Sequence, residues 1–387
     1  MPKPHPIPAR PLIRSRQALF RGGDGGYVMY RIPVLFATAR GTLLATCEAR
    51  QGAGDWTETH VLLRRSVDAG ATWDAPRRLC ATPADAVRNR VSDEHPDTTR
   101  TQGFVHHNCV ILPGAGATTH AIFGVEYERM FHRVSSDDGA TWGAPIEITA
   151  ALAPLRRRYP WRVCAAGPGH GLRLRTGRLL VPVWLSVSSG GHGHRPSVVV
   201  TLMSDDDGAS WRASDLLAVD GDHAVDGARV ANPSEATLVE MPDGRVLMSL
   251  RSESAPHRRL HLTSADGGVT FDHPRFCDGL YDAVCAASML PLGGRLLFCA
   301  PDPRDAQGRT DEPNARRRLL LSESCDGSAW HPVGLIEGGI TGYSHLATHG
   351  GRTWCLFESG SRGETHFHTS ELALAELAVG EPGAAVR

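Results

Sequence analysis

The chain has almost no lysine. Lys3 is the only one, and arginine supplies the rest of the 41 basic residues. These are balanced by 42 acidic residues for a formal net charge of −1, so no global basic field argues for a nucleic-acid partner. No stretch approaches the roughly 18 apolar residues that a membrane-spanning helix needs, so no membrane partner is expected. The opening run Met1-Pro2-Lys3-Pro4-His5-Pro6 lacks the apolar segment of a secretory leader. Those two absences make a cytoplasmic location the expectation. The nine cysteines are scattered and odd in number, and none falls in a CxxC pair. A complete disulfide framework is excluded, and a cysteine zinc site is disfavoured. What is present is ordinary for a globular protein: 41% hydrophobic and 21% charged residues in 387 positions, enough to bury a core without staples. The 42 glycines and 26 prolines signal many turns. Length alone suggests two or three domains, a prior that fails for large all-β folds.

An internal repeat sets the fold class. Ser66-Val67-Asp68-Ala69-Gly70-Ala71-Thr72-Trp73 recurs as Ser135-Ser136-Asp137-Asp138-Gly139-Ala140-Thr141-Trp142 and as Ser204-Asp205-Asp206-Asp207-Gly208-Ala209-Ser210-Trp211. It recurs again as Ser264-Ala265-Asp266-Gly267-Gly268-Val269-Thr270-Phe271. A fifth copy, Ser324-Cys325-Asp326-Gly327-Ser328-Ala329-Trp330, is one residue short. The Asp carboxylate suits a tight turn because it accepts backbone N–H groups, and Gly supplies positive φ. Flanking runs such as His60–Arg65 and Ser197–Leu202 read as strands. Each unit reads as a small antiparallel sheet of ~4 strands, which cannot bury both faces alone and must stack on neighbours. Five units plus the N-terminal segment predict an all-β fold: a six-bladed β-propeller with Asp-box repeats. Residues 1–20 form an arm or part of the ring closure, and residues 21–380 form a single propeller domain. The boxes are structural and leave the chemistry open.

Singular features between the boxes carry the function. Tyr30-Arg31-Ile32-Pro33 opens an apolar strand, and Arg50 and Asp55 flank a Gly-rich loop at a strand end. With the Asp boxes, these segments resemble the sialidase (exo-α-neuraminidase) superfamily. Further matches are Gly167-Pro168-Gly169-His170-Gly171-Leu172 with Gly177–Pro182, Asn232-Pro233-Ser234-Glu235 with Leu250-Arg251-Ser252, and Gly342-Tyr343-Ser344 with Leu356-Phe357-Glu358. The resemblance runs from about residue 17 to 375, and the shared order of weak motifs is its strength.

The resemblance implies three arginines that grip the carboxylate of an acidic sugar, because a guanidinium matches a carboxylate bidentately and stays charged. Arg31 and Arg251 match two of them. Counting back from the shortened fifth box, Arg317 matches the third. Strand alternation would put Arg316 and Arg318 on the opposite face, and the shortened box leaves that register open. Tyr343 matches the nucleophile, Glu235 its base, Asp55 the acid/base and Glu358 the residue that holds Arg31. Glu240 is a rival base whose Val239-Glu240-Met241 context suits an outward position. Arg50 is expected near Asp55, touching the sugar or pairing with a carboxylate. His106, His107, His192 and His194 are extra histidines whose spacing suits a metal poorly, and Tyr127, Trp161 and Trp184 are candidates to line the pocket.

The implied activity is retaining hydrolysis of a terminal sialic (nonulosonic) acid from a glycoside partner, needing no metal or organic cofactor. Activity at mildly acidic to neutral pH requires Asp55 to titrate above its ordinary range. The rival reading is a non-catalytic propeller that binds acidic sugars as a lectin does. A glycosidase acting on neutral sugars is a third.

Overall fold

The computed structural model describes residues 12–94, 103–305, 307–363 and 367–379. Most of the N-terminal stretch expected as an arm or closure, residues 1–11, lies outside the described residues. Its remainder enters the strand Ile13–Arg21. Strands dominate, and the only α-helix among the described residues is the four-residue turn Val91–Glu94. No described helix is long and apolar enough to cross a membrane.

The arrangement is a β-propeller. Its first sheet joins Met29–Ala37, Leu43–Arg50, Thr59–Ser66 and Arg77–Arg78. The second is built on His106–Pro113, Thr119–Val125 and Arg129–Ser135, and the third on Val163–Ala166, Leu179–Ser186 and Ser197–Ser204. The fourth runs from Ala236–Glu240 to Arg275–Tyr281. A seven-stranded sheet then contains Ser288–Leu292 through Glu371–Leu377 and ends on Ile13–Arg21. Among the described residues, pairing therefore gives five sheets of four or more strands and one two-stranded ribbon, Ala224–Val225 with Ala228–Arg229, rather than six separate blades. The reason is one 19-residue strand, His331–His349. It pairs with Arg317–Ser324 through residues 331–340 and with Arg352–Ser359 through residues 341–349. Ile13–Arg21 lies antiparallel to Glu371–Leu377, so the two ends of the described chain meet in one sheet.

Sheets stack because their strands are apolar on both faces. All eight residues of Leu179–Ser186 are buried, as are all eight of Ser197–Ser204. Val34, Leu44 and Val61 of the first sheet pack on Ile111, Phe123 and Phe131 of the second. Leu180 and Val199 of the third pack on Leu238 and Met248 of the fourth. Leu35, Leu43 and Ala45 meet Ala347, Leu356 and Leu374, which closes the ring.

The Asp boxes form as their sequence dictates. Thr72 donates its amide and hydroxyl to Asp68 at 2.9 and 2.5 Å, and Gly70 N–H donates to Ser66 Oγ at 2.8 Å. The indoles of Trp73, Trp211 and Trp330 donate back to the turn carbonyls of Gly70, Gly208 and Gly327. Gly139 is required twice over: its φ is 74°, and a Cβ there would sit 2.7 Å from Leu44 Cδ2 of the neighbouring sheet. The boxes lie at the far end of the strands from the loops that follow Arg50. In the first sheet Leu43 faces Ser66, next to the box, whereas Arg50 faces Thr59.

Candidate active site

At the opposite end of the ring from the boxes is a cavity of about 900 Å³. Backbone irregularities aim its inner residues. Ile32 and Asn108 have φ of 54° and 50°, and each lies in a register shift of its strand. A third shift brackets Tyr343, between Thr341 and Ser344. Bulges of this kind turn a side chain out of strand alternation and toward a site.

Arg31, Arg50, Asp55, Glu235, Arg251 and Tyr343 all line the cavity. Fully buried Glu358 lies beneath Arg31 and binds it bidentately, at 3.0 Å to Nε and 3.3 Å to Nη2. The same carboxylate accepts the amides of Ile32 and Tyr343, both at 3.1 Å. Burial would raise Glu358, but Arg31, Arg316 and the Ile32 amide outweigh it and hold it below the usual range. The Tyr343 ring lies between two guanidiniums, Arg31 at 5.3 Å and Arg316 at 5.1 Å from its centroid. Its hydroxyl donates to Glu235, 2.5 and 2.6 Å from the two oxygens. Arg251 Nη1 donates to Glu235 at 2.6 Å and to the Tyr343 oxygen at 2.9 Å. Burial, and then the Glu235 charge, push Tyr343 well above the ordinary phenol value, with Arg251 and Arg316 opposing.

Arg50 is buried between two carboxylates. It donates to Glu48 through Nε at 3.0 Å and Nη2 at 2.5 Å, and to Asp55 Oδ1 through Nη1 at 2.7 Å. Burial alone would raise Asp55, but Arg50 first, then His194 and Arg31, outweigh it and hold it well below the carboxylate range. The elevated value expected of a resting general acid is therefore not what the free protein has.

One expected residue lies elsewhere. Arg317 pairs with Glu312 at the surface, its side chain 43% exposed. Its neighbour Arg316 is buried, lines the cavity, and donates to the Val284 carbonyl at 2.7 Å. Successive residues at the start of a strand point to opposite faces, so the turn that aims Arg317 outward aims Arg316 inward. The alternation was legible; the shortened box hid which face was inward. Glu240 pairs with Arg175, away from the cavity. Tyr127, Trp184, His192 and His194 line the cavity, whereas Trp161 sits in an apolar cluster between sheets. His107 stacks on Tyr127 at 3.7 Å, and His106 is bonded to the Thr59 carbonyl and Thr82. Glu48 and Asn108 were not anticipated. The Asn108 amide donates to Glu48 Oε1 at 2.9 Å and so fixes the carboxylate that fixes Arg50. Among the described residues, no group of three His, Cys, Asp or Glu side chains is placed to hold a metal ion.

A closed ring of Asp-box sheets with a guanidinium-lined cavity at one end defines a BNR-repeat propeller. The BNR repeat-like domain family matches residues 115–354. A sialidase of Micromonospora viridifaciens is 29% identical over 381 residues, 92% of this chain and 54% of the relative. A sialidase of Bacteroides fragilis is 26% identical over 352 residues, 84% of this chain and 59% of the relative. The chain thus spans little more than half the length of these two proteins. The structure of a Hadza microbial sialidase superposes with a TM-score of 0.69 at 21% identity, over 94% of this chain and 68% of that one. The chain belongs to the sialidase superfamily.

Proposed function

We propose that the protein is an exo-α-sialidase-type glycoside hydrolase that releases a terminal sialic (nonulosonic) acid with retention. The observation that carries this reading is the contact of the Tyr343 hydroxyl with both oxygens of Glu235, inside a ring of guanidiniums. The relatives named as sialidases support the activity class.

Arg31, Arg251 and Arg316 bind the carboxylate of the sugar. Arg31 is already oriented by Glu358, and Arg316 has no carboxylate partner among the described residues. Bound there, the substrate presents its anomeric carbon to Tyr343. A carboxylate nucleophile would be repelled by the substrate's own charge, and a neutral phenol is not. Burial keeps that phenol protonated, so it needs a base. As the tyrosine oxygen bonds to the anomeric carbon, its proton passes to Glu235, and Arg251 stabilises the developing phenolate. The bond to the leaving oxygen breaks with its electron pair, and that oxygen takes a proton delivered through Asp55. Water then attacks the tyrosyl–sugar bond, its proton goes to Asp55, and Tyr343 recovers its own from Glu235. Tyrosine-nucleophile sialidases are a recognised departure from the paired-carboxylate pattern.

Residues 21–380 form one six-bladed domain whose ring the strand Ile13–Arg21 closes, with the seven-stranded sheet counted as two blades that share the strand His331–His349. Its support is the apolar layer of Leu297 and Leu321 against Leu346 and Phe357 inside that sheet, like those between the other blades. The test is hydrolysis of aryl ulosonides that differ at carbon 5, by wild type, Asp55→Ala and Tyr343→Phe. Turnover of an acidic ulosonide that is lost in Tyr343→Phe supports the hydrolase. Acid-sugar binding without turnover supports the lectin instead.

A further inference from the structure

The mechanism asks for a proton through a carboxylate that Arg50 and Arg31 help keep ionised. Beside that carboxylate is a histidine to which the family resemblance assigns no role. The segment Ser188–Arg195 leaves the third sheet through left-handed residues, with φ of 53°, 66° and 80° at Ser188, Gly190 and Gly191. It is closed by the Ser189 amide donating to the Arg195 carbonyl at 2.9 Å and pinned by an Arg195–Glu253 ion pair at 2.7 Å. This brings His194 to the cavity wall, with Nδ1 4.0 Å from Asp55 Oδ2. That oxygen is the one Arg50 leaves free, since Arg50 binds Oδ1.

Three aromatic rings surround the imidazole: Trp56 at 5.8 Å, Tyr127 at 5.0 Å and Trp184 at 5.2 Å between centroids. Its Nε2 is buried and has no hydrogen-bond partner. Ring faces attract a cation, so the cage offsets part of the cost that burial imposes on the imidazolium. The groups that act on His194 come from several sheets. Burial lowers it, Asp55 and Glu235 raise it, and Arg251 and Arg50 lower it. His107 of the second sheet also couples to it. The balance lowers the imidazole below its ordinary value in the free protein.

We propose that His194 and Asp55 form one proton-holding pair, in which binding of an acidic sugar loads His194 and the proton reaches the leaving oxygen through Asp55 Oδ2. This deepens the sialidase reading and rests on it. The substrate carboxylate neutralises the arginine cluster, Arg251 included, and so removes a charge that opposes the imidazolium. The proton moves from His194 Nδ1 to Asp55 and on to the departing oxygen, which keeps the bonding electrons. In the second step the pair takes the proton that water releases. His194 acts through Asp55 and is a positioning residue.

The test uses His194→Phe, which keeps a ring in the cage, and His194→Gln, which keeps a donor for Asp55 but cannot hold a proton. Each is assayed across pH on an alkyl ulosonide, whose leaving group needs acid help, and on a 4-nitrophenyl ulosonide, whose leaving group needs little. Both variants are expected to lose about 10²-fold in kcat on the alkyl substrate, far less (about threefold) on the aryl one, and to change the acidic limb of the profile. Equal losses on both substrates, or an unchanged pH profile, would overturn the pair. A second readout is independent of turnover: the ¹⁵N titration of His194 in wild type, with and without a 2,3-didehydro nonulosonic acid. An upward move on binding is expected, and no move overturns the proposal. Wild type that hydrolyses neither substrate would remove the hydrolase reading itself, an outcome distinct from a variant that fails to discriminate.

Discussion

Glu358 is the most heavily committed carboxylate of the site, and its removal has a calculable cost. It accepts two bonds from Arg31 and one each from the amides of Ile32 and Tyr343, and it is fully buried. Glu358→Ala leaves the Arg31 guanidinium buried and unpaired, which costs about 3–5 kcal/mol. The two amides lose their acceptor, each worth ~1 kcal/mol or more when no water replaces it, so the upper end of that range is expected. The assay is urea denaturation of wild type and variant from pH 3 to 8. Glu358 is depressed in the folded state, so its contribution is complete above the unfolded carboxyl value of ~4.3 and is lost as pH falls through the folded value. The gap between the two proteins is therefore constant above about pH 5 and narrows in acid. A gap below about 1 kcal/mol at pH 7, or one that widens on acidification, would refute the reasoning.

Two further substitutions separate neighbours that look alike. Arg316→Ala is expected to raise KM for an acidic ulosonide by roughly 10–100-fold, the value of a charge-assisted carboxylate contact. Arg317→Ala, which removes only the exposed pair with Glu312, stays within about threefold. Steady-state kinetics on both variants decides; the reverse order would restore Arg317 to the site. Gly342→Ala would place a Cβ 2.0 Å from Glu358 Oε2, so it should displace that carboxylate, lose stability by ~1–3 kcal/mol and abolish turnover together. Thermal melts with activity assays check it, and a stable, active variant would contradict the packing described.

The fold class was readable because the box repeats. Asp68, Asp137, Asp206 and Asp266 stand at regular intervals, each with the Ser and Thr or Ser it binds. Five boxes could not reveal that His331–His349 runs unbroken between two partners, since pairing register depends on backbone geometry that no motif encodes. In the site, Arg31, Tyr343 and Glu235 were legible because each sits in a distinctive local context. Arg316 was hidden by the shortened box beside three consecutive arginines. Glu48 was invisible for a different reason: it occupies an alternating, fully buried strand and matters only through Arg50, a contact two positions away on the same strand. The low titration of Asp55 also escaped the sequence, since it depends on Arg50, His194 and Arg31, which come from separate segments.

The proposed activity turns on retaining chemistry at Tyr343. Proton NMR of a synthetic α-ulosonide during hydrolysis reads it directly, because the first-formed free sugar carries the stereochemistry of the displacement. The α anomer is the expected initial product, relaxing later to the β form, with no product from Tyr343→Phe on the same timescale. Initial release of the β anomer, or undiminished release by Tyr343→Phe, would contradict it.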